Sequence, residues 1–427
     1  MMVDRDESIV VARVKELTCR LYFYSCLSAQ TGVVSMLHWV IALAVLLSSG
    51  SITPASASPS SSPSSFVSLS TAPVDSTKVF VRGEGGYYCH KIPYLYRTVS
   101  NILIALAEGR GKDGREACDD FSGTDLVYKR SFDGGLTWSP LAVLVTNSSA
   151  EEANIIGNAA PVQDTTTGIL WMKFCRNNEE VYITFSENDG SSWAEPRSMP
   201  HLVLGDWKWV GIGPPGGIQL SSGRLLLPAY HTSLWKGDGC ASHGHTIISD
   251  DHGETWQIGS DDFGAPYLSN ECQAVQLRNG SVLINARTVS THRIQVMSHD
   301  GGVTFDSPQR VNGLYEPIEG CEGSMVRYFE SGSDTEALFY SGPNTNGIFR
   351  RNMTIMKSID DGATWTDVAN VDTGSVSYSS LQVVPTLQLD ADGEFDLALL
   401  YERADTLSIV FEPDEICFWR LPMKDIV

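Results

Sequence analysis

Short runs of alternating apolar and polar residues recur along the chain from about residue 80 onward, and they predict β-strands. Six runs resemble one another, from NILIALAEGR near the start to EFDLALLYER near the end. They begin at residues 101, 168, 223, 280, 336 and 394, which gives spacings of 67, 55, 57, 56 and 58 residues. Near-equal spacing indicates a repeated all-β unit, and no long stretch of helical periodicity competes with it.

An octapeptide with the consensus S-x-D-x-G-x-T-W accompanies these runs. Its five copies are SFDGGLTW at 131, SENDGSSW at 186, SDDHGETW at 249, SHDGGVTF at 298 and SIDDGATW at 358. The second copy has Asn188 in place of Asp, and the fourth ends in Phe305. Each copy follows a short alternating run, so the pattern predicts a hairpin turn. The Asp side chain accepts bonds from backbone amides, Gly adopts positive φ, and the aromatic ring points inward.

Together the two repeats predict an all-β fold, a six-bladed β-propeller in which each blade has four short strands. Each blade buries its faces against its neighbours. The sixth unit lacks the octapeptide, so we expect an N-terminal strand near 78–82 to complete it and close the ring.

The composition is compatible with a large buried core and excludes wholesale disorder. Of the 427 residues, 42% are hydrophobic and 19% are charged, and the formal net charge is -21. So acidic a surface repels phosphate backbones, and we therefore predict no nucleic-acid partner. An anionic substrate requires basic residues that converge locally in one site.

The nine cysteines form no C-x-x-C pair and no Cys/His spacing that is typical of zinc. We therefore expect no structural metal. Seven cysteines lie beyond residue 80, which permits a few disulfides and leaves at least one thiol free.

Three segments are predicted along the chain. Residues 1–47 contain the apolar run 33–47, which is short for a membrane span and suits the core of a signal peptide. An uncleaved membrane anchor, a downstream start at Met36 and a buried core helix are the alternatives. Residues 48–77 are rich in Ser and Pro and predict a flexible linker. Residues 78–427 form the predicted propeller.

We expect the chain to enter the secretory pathway, with the propeller secreted, lysosomal or anchored on the lumenal or extracellular side. Asn147, Asn279 and Asn352 lie in N-x-S/T triplets, which is compatible with glycosylation. The sequence carries no signal for an oligomeric state.

Basic residues stand at the ends of several repeated strands. Four of the six runs finish in Arg110, Arg176, His231 and Arg287, and the last carries Tyr401, Glu402 and Arg403. In a propeller the corresponding strand ends meet at one end of the central axis. Cations gathered there favour an anionic ligand, most simply a carboxylate held by guanidinium groups. The alternative is a set of surface arginines, each paired with a local acid.

Over about residues 78–425 the chain resembles the sialidase (neuraminidase) family of retaining glycoside hydrolases. The resemblance rests on the five octapeptides and on ordered motifs: HKIP, ALAEGR, CDDFSGTDLVYKRS, NECQAVQL, LINAR, FRRNMT, SYSSLQ and LLYER. It implies an exo-acting enzyme that hydrolyses terminal α-linked sialic acids of glycoconjugates, with no cofactor and no metal for the chemistry.

The resemblance implies three catalytic residues. Tyr378 in SYSSLQ matches the nucleophile and Glu271 in NECQ its general base, because a phenol near neutral pH needs a carboxylate to share its proton. Asp120 matches the acid/base that protonates the leaving oxygen. Asp119 is the alternative if the register shifts by one.

Five further residues match the substrate-binding set. Arg287 in LINAR and Arg350 in FRRNMT match two members of the triad that binds the substrate carboxylate, with Arg351 as the alternative to Arg350. Arg110 matches a further substrate-contacting arginine. Glu402 matches the acid that braces the remaining triad member, at residue 91.

At that position the chain departs from the family. The family motif F/Y-R-I-P reads H-K-I-P here, so Lys91 stands in place of arginine. Lysine keeps the charge and loses the planar bidentate fork. We expect reduced hydrolysis.

Other functions stay open at this point. A trans-sialidase differs only in whether water or a sugar hydroxyl attacks the intermediate, and Trp207, Trp209 or Trp235 could form its acceptor site. A hydrolase of a related nonulosonic acid, an enzyme acting on a uronic acid, and a non-catalytic sugar-binding propeller are the remaining alternatives.

Overall fold

A computed structural model of the protein describes residues 76–426, except 113–116, 147–154, 234–241, 330–335, 388–393 and 409–410. The apolar run 33–47 and almost all of the predicted linker therefore lie outside the described residues. Within them the chain is all-β, with three single-turn 3-10 helices at Glu84–Gly86, Pro200–Leu202 and Met423–Asp425. No helix in this part of the chain is long and apolar enough to span a membrane.

Five antiparallel sheets account for the 24 strands of the described chain. The first contains β2 (Cys89–Arg97), β3 (Leu103–Arg110), β4 (Thr124–Ser131) and β5 (Ala142–Val145). The second contains β6 (Ile156–Gln163), β7 (Leu170–Arg176), β8 (Glu180–Ser186) and β9 (Arg197–Ser198). The third contains β10 (Trp209–Ile212), β11 (Ile218–Gln219), β12 (Leu225–Thr232), β13 (Ser242–Ser249) and β14 (Gln257–Ile258).

The fourth sheet contains β15 (Ser269–Gln276), β16 (Val282–Thr288), β17 (His292–Ser298) and β18 (Gln309–Tyr315). The fifth contains β19 (Ser324–Phe329), β20 (Glu336–Pro343), β21 (Arg351–Ser358), β22 (Thr366–Pro385), β23 (Phe395–Ala404), β24 (Glu415–Pro422) and β1 (Thr77–Val81). The six repeated runs of the sequence form β3, β7, β12, β16, β20 and β23.

Each octapeptide forms a hairpin turn with the same hydrogen bonds. In the copy that begins at Ser298, the serine Oγ accepts the backbone N–H of Gly302 at 2.8 Å, and the Asp300 carboxylate accepts the N–H of Thr304 at 2.9 Å. Gly302 has φ +90°, and a Cβ there would lie 2.2 Å from the side chain of Leu226. The glycine is therefore needed both for the turn and for contact with the neighbouring sheet.

Five sheets replace the six separate ones that the repeats predict, because β22 belongs to two strand groups. Its first half pairs with β21 and its second half, from Ser375 to Pro385, pairs with β23. The strand runs on for 20 residues without an octapeptide turn to divide it. The fifth sheet consequently has seven strands.

The hydrophobic cores lie between neighbouring strand groups. One contains Phe339 and Ile355 from one half of the seven-stranded sheet and Leu399 and Trp419 from the other. Consecutive sheets contact one another, and β2 of the first sheet contacts β22, β23 and β24 of the last. The sheets therefore form a closed, propeller-like ring.

The first described strand completes the last sheet. β1 pairs antiparallel with β24, with Lys78 opposite Cys417, and Phe80 packs in a core with Leu95 and Phe418. The predicted closing strand near 78–82 is confirmed, with bounds of Thr77–Val81.

Candidate active site

The eight site residues predicted from the sequence lie in one cluster at the ends of the innermost and second strands. Strands β2, β3, β15, β16, β22 and β23 and two loops carry them: Lys91, Arg110, Asp120, Glu271, Arg287, Arg350, Tyr378 and Glu402. In the sequence they extend from Lys91 to Glu402, and the ring of sheets brings them together.

At the centre lies a hydrogen-bonded trio of phenol, carboxylate and guanidinium. The Tyr378 hydroxyl donates to Glu271 Oε1. Arg287 Nη1 donates to Glu271 Oε2 at 2.6 Å and to Tyr378 Oη at 3.0 Å. Burial and the neighbouring Glu271 anion raise the pKa of Tyr378 well above its ordinary value. The phenol is therefore neutral, and the carboxylate that would take its proton is already in contact with it.

Two arginines flank the phenol. Arg287 Nη2 donates to the Glu319 carbonyl at 2.9 Å, and Arg350 donates to Ser377 Oγ at 2.9 Å and the Gly320 carbonyl at 3.3 Å. The Arg350 guanidinium lies 5.4 Å from the centre of the Tyr378 ring. These hydrogen-bond partners of Arg350 are neutral, so they do not compensate its positive charge. The guanidinium therefore stays available to bind an anion.

Arg350, not its neighbour Arg351, belongs to the cluster. Arg351 is exposed and begins β21, where its backbone is paired with Ser375. Arg350 lies in the loop before β21, where its bonds to Ser377 and Gly320 hold it in the cluster.

Glu402 holds backbone on both sides of the cluster. This fully buried carboxylate accepts the N–H of Ile92 at 2.8 Å and the N–H of Tyr378 at 3.3 Å. Ile92 has φ 55°, unusual for a β-branched residue, in the irregular part of β2. Glu402 thus orients the chain next to Lys91 and at the phenol, whereas the family resemblance implied an acid that braces the residue 91 side chain.

Lys91 makes no side-chain hydrogen bond or ion pair with any of the described residues. Burial lowers the pKa of its ammonium most; Glu402 and Asp120 raise that pKa, and Arg110 and Arg350 lower it. The Lys91 side chain is thus a partly desolvated cation with both acidic and basic groups near it.

Arg110 and Asp120 form an ion pair close to Lys91. Arg110 Nη1 donates to Asp120 Oδ1 at 2.7 Å and to the Cys118 carbonyl at 3.0 Å, while its Nη2 donates to Glu108 at 2.6 Å. Burial raises the pKa of Asp120, but Arg110 and Lys91 outweigh it and lower that pKa to about 2. The side chain is still 60% exposed at the mouth of the site.

The adjacent aspartate has another task. Asp119 accepts the N–H of Phe121 at 2.8 Å, and its carbonyl accepts the Ser122 hydroxyl. Asp119 thus bonds within its own loop, whereas the next residue, Asp120, contacts Arg110.

A disulfide ties this loop to β2. Cys89 and Cys118 are bonded, and they lie two residues from Lys91 and Asp120, respectively. The other cysteines of the described residues, Cys175, Cys272, Cys321 and Cys417, are free and buried. The sequence permitted a few disulfides but had no feature that identified this pair.

Glu322 was missed by the sequence analysis. This buried carboxyl accepts the N–H of Ser379, next to Tyr378, at 2.8 Å, and its Oε1 has no partner within the described residues. Burial raises its pKa well above the ordinary value. A single Glu in GCEGSM gives no signal of such a role.

Two of the basic strand ends do not behave as predicted. His231 stacks on Trp207 at 3.7 Å, and burial lowers its pKa to about 4, so it is neutral near pH 7. Arg403 is paired with Asp405 at 3.0 Å and Glu415 at 2.7 Å, as expected for a surface arginine paired with local acids.

Within the ranges described, no group of three or more His, Cys, Asp or Glu side chains could hold a metal.

Comparison with known proteins places these features in a family. The model of the BNR repeat-like domain matches residues 105–404. Sialidase-2 of Rattus norvegicus is 28% identical over 377 residues, covering 80% of this chain and 96% of the relative. Sialidase-3 of Mus musculus is 30% identical, covering 59% and 66%, and Sialidase-4 of Homo sapiens is 33% identical, covering 49% of each. The chain thus spans just under two thirds and about half of the latter two.

Solved structures share the fold. The Hadza microbial sialidase Hz136 has a TM-score of 0.69 and 24% identity, with 82% of this chain and 69% of that chain covered. The leech intramolecular trans-sialidase has a TM-score of 0.67 and 18% identity, with 82% and 70% covered. At these identities the likeness concerns the all-β propeller-like architecture.

Proposed function

The chain belongs to the sialidase family, and from that premise we propose that it is an exo-α-sialidase that hydrolyses terminal sialic acids of glycoproteins, glycolipids or oligosaccharides with retention. The observation that carries the proposal is the contact of Tyr378 Oη with both Glu271 and Arg287. A neutral phenol suits attack on an anomeric carbon that bears a carboxylate, because an anionic nucleophile would be repelled.

In the first step Tyr378 Oη bonds to the anomeric carbon while Glu271 accepts the phenolic proton. The bond from that carbon to the glycosidic oxygen breaks, and Asp120 donates its proton to the leaving oxygen. In the second step Asp120 removes a proton from water, the water oxygen displaces the tyrosyl oxygen, and Glu271 returns the proton to Tyr378. Two displacements at one carbon leave its configuration unchanged.

The substrate carboxylate is bound by Lys91, Arg287 and Arg350. The bound substrate carboxylate also affects the pKa of Asp120, the proposed general acid. Arg110 lowers the pKa of Asp120 most, and Lys91 and Arg350 lower it further. Neutralising the charges of Lys91 and Arg350 removes the smaller part of this effect, so the pKa of Asp120 rises. Substrate binding and protonation of Asp120 are thereby coupled.

For the architecture we propose six blades. Although β22 joins two groups into one sheet, the core that contains Phe339 and Trp419 lies between its two halves, as between separate blades. Counting that sheet as two four-stranded blades supports the repeat number in the sequence.

For location we propose the secretory pathway. The Cys89–Cys118 disulfide favours an oxidising compartment. Asn279 is exposed on the turn between β15 and β16, where a glycan can be accommodated. The run 33–47 would act as signal peptide or membrane anchor.

The test is Tyr378→Phe in the full chain, assayed on 3′-sialyllactose with detection of free sialic acid. We expect the turnover number to fall by about a thousandfold or more, because the nucleophile is lost. Tyr401→Phe is the matched control, since it removes a buried hydroxyl, bonded to Asp372, from another strand of the same sheet.

A folded wild-type protein without turnover between pH 4 and 8 would contradict hydrolysis. Transfer of sialic acid to added lactose, in place of release, would identify a trans-sialidase. Both enzymes share the first step, so product analysis separates them.

A further inference from the structure

A fully buried ion pair lies between the fourth sheet and the loop that follows it. Arg293 on β17 donates from Nη1 to Oε1 of Glu316, directly after β18, at 2.6 Å, and the side chains are 0% and 1% exposed. Arg293 Nε also donates to Asn285 Oδ1. The desolvation of two charges costs about as much free energy as their attraction returns, so stability alone explains such a pair poorly. The geometry that it fixes is the better explanation.

The pair binds both ends of the loop formed by residues 316–321, which we call the 316–321 loop. Arg293 Nη1 donates to the carbonyl of Cys321 at 2.7 Å, and Glu316 Oε1 accepts the Cys321 N–H at 3.4 Å. Glu316 Oε2 accepts the N–H of Thr288, the last residue of β16, at 3.4 Å. The loop is thus closed on itself and attached to the end of β16.

The carbonyl groups of this loop hold the two arginines that flank the phenol. The Glu319 carbonyl accepts Arg287 Nε at 3.2 Å and Nη2 at 2.9 Å, and the Gly320 carbonyl accepts Arg350 Nη2 at 3.3 Å. Both carbonyls belong to left-handed backbone, with φ 72° at Glu319 and 73° at Gly320. A residue with a side chain adopts this conformation only where its surroundings impose it. The buried ion pair at the loop ends supplies such a constraint.

The loop also packs closely against Arg287. A Cβ on Gly320 would lie 2.3 Å from the Thr288 carbonyl oxygen and 2.7 Å from Arg287 Cγ. A shift of the loop therefore displaces the Arg287 side chain, and it moves the carbonyl that Arg350 contacts. Because a guanidinium binds a carboxylate through fixed N–H directions, such a shift weakens the binding of that anion.

We propose that Arg293 and Glu316 are positioning residues for the substrate carboxylate, and that they act through the 316–321 loop on Arg287 and Arg350. This inference rests on the proposed function, in which these two arginines bind that carboxylate. It assigns a role in substrate binding to two residues that are closed to solvent and therefore do not contact the substrate.

The test replaces both members together, Arg293→Met with Glu316→Gln, so that no unpaired charge is left buried. The ligand is 2-deoxy-2,3-dehydro-N-acetylneuraminic acid, a carboxylate-bearing analogue without a leaving group, and calorimetric titration of the full chain gives its Kd. We expect this Kd and the KM for 3′-sialyllactose to rise about tenfold, with a smaller change in kcat. A loss confined to folding would not separate KM from kcat in this way.

Arg420→Met with Asp396→Asn is the matched control. That pair is also largely buried, with Arg420 Nη2 and Asp396 Oδ2 2.7 Å apart, and Arg420 likewise donates to backbone carbonyls, those of Gly134 and Pro385. Asp396 lies near the start of β23, whereas Glu402 is near its other end, in the site. Because distant sites act independently, the control should leave the Kd within about twofold of the wild-type value.

A folded test variant that binds the analogue as the wild type does would overturn the proposal. An equal rise of the Kd in the control would overturn it too, because it would show a general loss of order. If the double variant does not fold, Arg293→Lys keeps the charge without the planar fork and should raise the Kd by about threefold; an unchanged Kd would contradict the proposal. Binding of the analogue by the wild type reports the proposed function separately, so the two failures are distinguishable.

Discussion

Lys91 stands where the family resemblance implies an arginine, and its surroundings bear on what that change would do. The ammonium lies near Arg110 and Arg350, and burial together with their charges lowers its pKa. A lysine in that setting offers one point charge to a carboxylate, whereas arginine offers two parallel N–H donors. We therefore expect a substrate carboxylate to be held less firmly by Lys91 than by an arginine.

We expect Lys91→Arg to lower KM for 3′-sialyllactose by three- to tenfold, with a smaller change in kcat, because a bidentate pair is restored. Since the pKa of Lys91 is lowered, the wild type loses this cation at a lower pH than an ordinary lysine would. Its KM should then rise as the pH increases, and the variant should not share that rise. Steady-state kinetics from pH 5 to 10 measures both effects.

Lys91→Met is the companion variant, which removes the charge and keeps much of the volume. If this variant binds substrate as well as the wild type does, Lys91 takes no part in binding the substrate carboxylate.

The candidate site was predictable from the sequence where a motif carried its chemistry. Tyr378, Glu271 and Arg287 were found through SYSSLQ, NECQ and LINAR, and the structure brings them into contact. The contacts of Glu402 and Glu322 were not predictable, because they are made to backbone amides that any residue supplies. Nor was the Cys89–Cys118 pair, since sequence does not give the distance between the start of β2 and the loop that carries Cys118.

At the scale of single elements, β22 carries Tyr378, the proposed nucleophile, on an irregular stretch. Its pairing with β23 shifts register between Val376 and Ser379. The amides of Tyr378 and Ser379 are instead taken up by Glu402 and Glu322. Two carboxyl groups from outside the strand thus set the direction of the phenol.

Glu322 offers a stability test with a defined pH dependence. Its pKa is raised by burial, so the folded protein binds a proton there that the unfolded chain releases above its ordinary pKa near 4.5. The wild type therefore loses stability as the pH rises above that value. We expect Glu322→Gln, which is neutral throughout, to be more stable at pH 7, with a difference that shrinks towards pH 4. Urea unfolding at several pH values measures it.

Glu322→Ala should behave in the opposite way. It leaves the Ser379 amide and a cavity behind, which costs about 2–4 kcal/mol, and kcat should fall as well. If both variants are as stable and as active as the wild type, Glu322 does not hold β22.

At the scale of the whole molecule, buried neutral histidines make the fold sensitive to acid. The buried His90 ring stacks on Phe80 at 5.3 Å where β1 closes the ring of sheets. Burial lowers the pKa of His90 to about 4, as it does for His231. Both side chains are therefore neutral in the folded protein at pH 7.

Because these pKa values are lower in the folded state than the ordinary 6.5, the unfolded chain binds more protons between pH 6.5 and 4. Stability is complete above that window and falls as the pH drops through it, by roughly 3 kcal/mol for each histidine. We expect His90→Phe, which keeps a ring against Phe80, to flatten the fall in melting temperature between pH 6.5 and 4. An unchanged slope would show that His90 is not the group responsible.

The whole fold was largely predictable because its repeats are local in sequence. The strand order and the octapeptide turns follow from patterns within single repeats. The closing strand follows from the sixth unit, which lacks the octapeptide and needs an N-terminal partner. The joining of two strand groups by β22 was not predictable, because whether a strand continues or breaks depends on partners contributed by distant segments, here β21 and β23.

The pairing of β1 with β24 has a consequence for synthesis on the ribosome. Thr77 and Phe418 are opposite one another, so the first strand of the propeller waits for a partner that is translated more than 300 residues later. At typical rates of 5–20 residues per second, that delay is tens of seconds. Throughout it, Val79 and Phe80 lack the cover that they have in the finished protein. Nascent chains should therefore depend on chaperones until the final strand emerges, and early termination anywhere before β24 should leave an open, aggregation-prone edge.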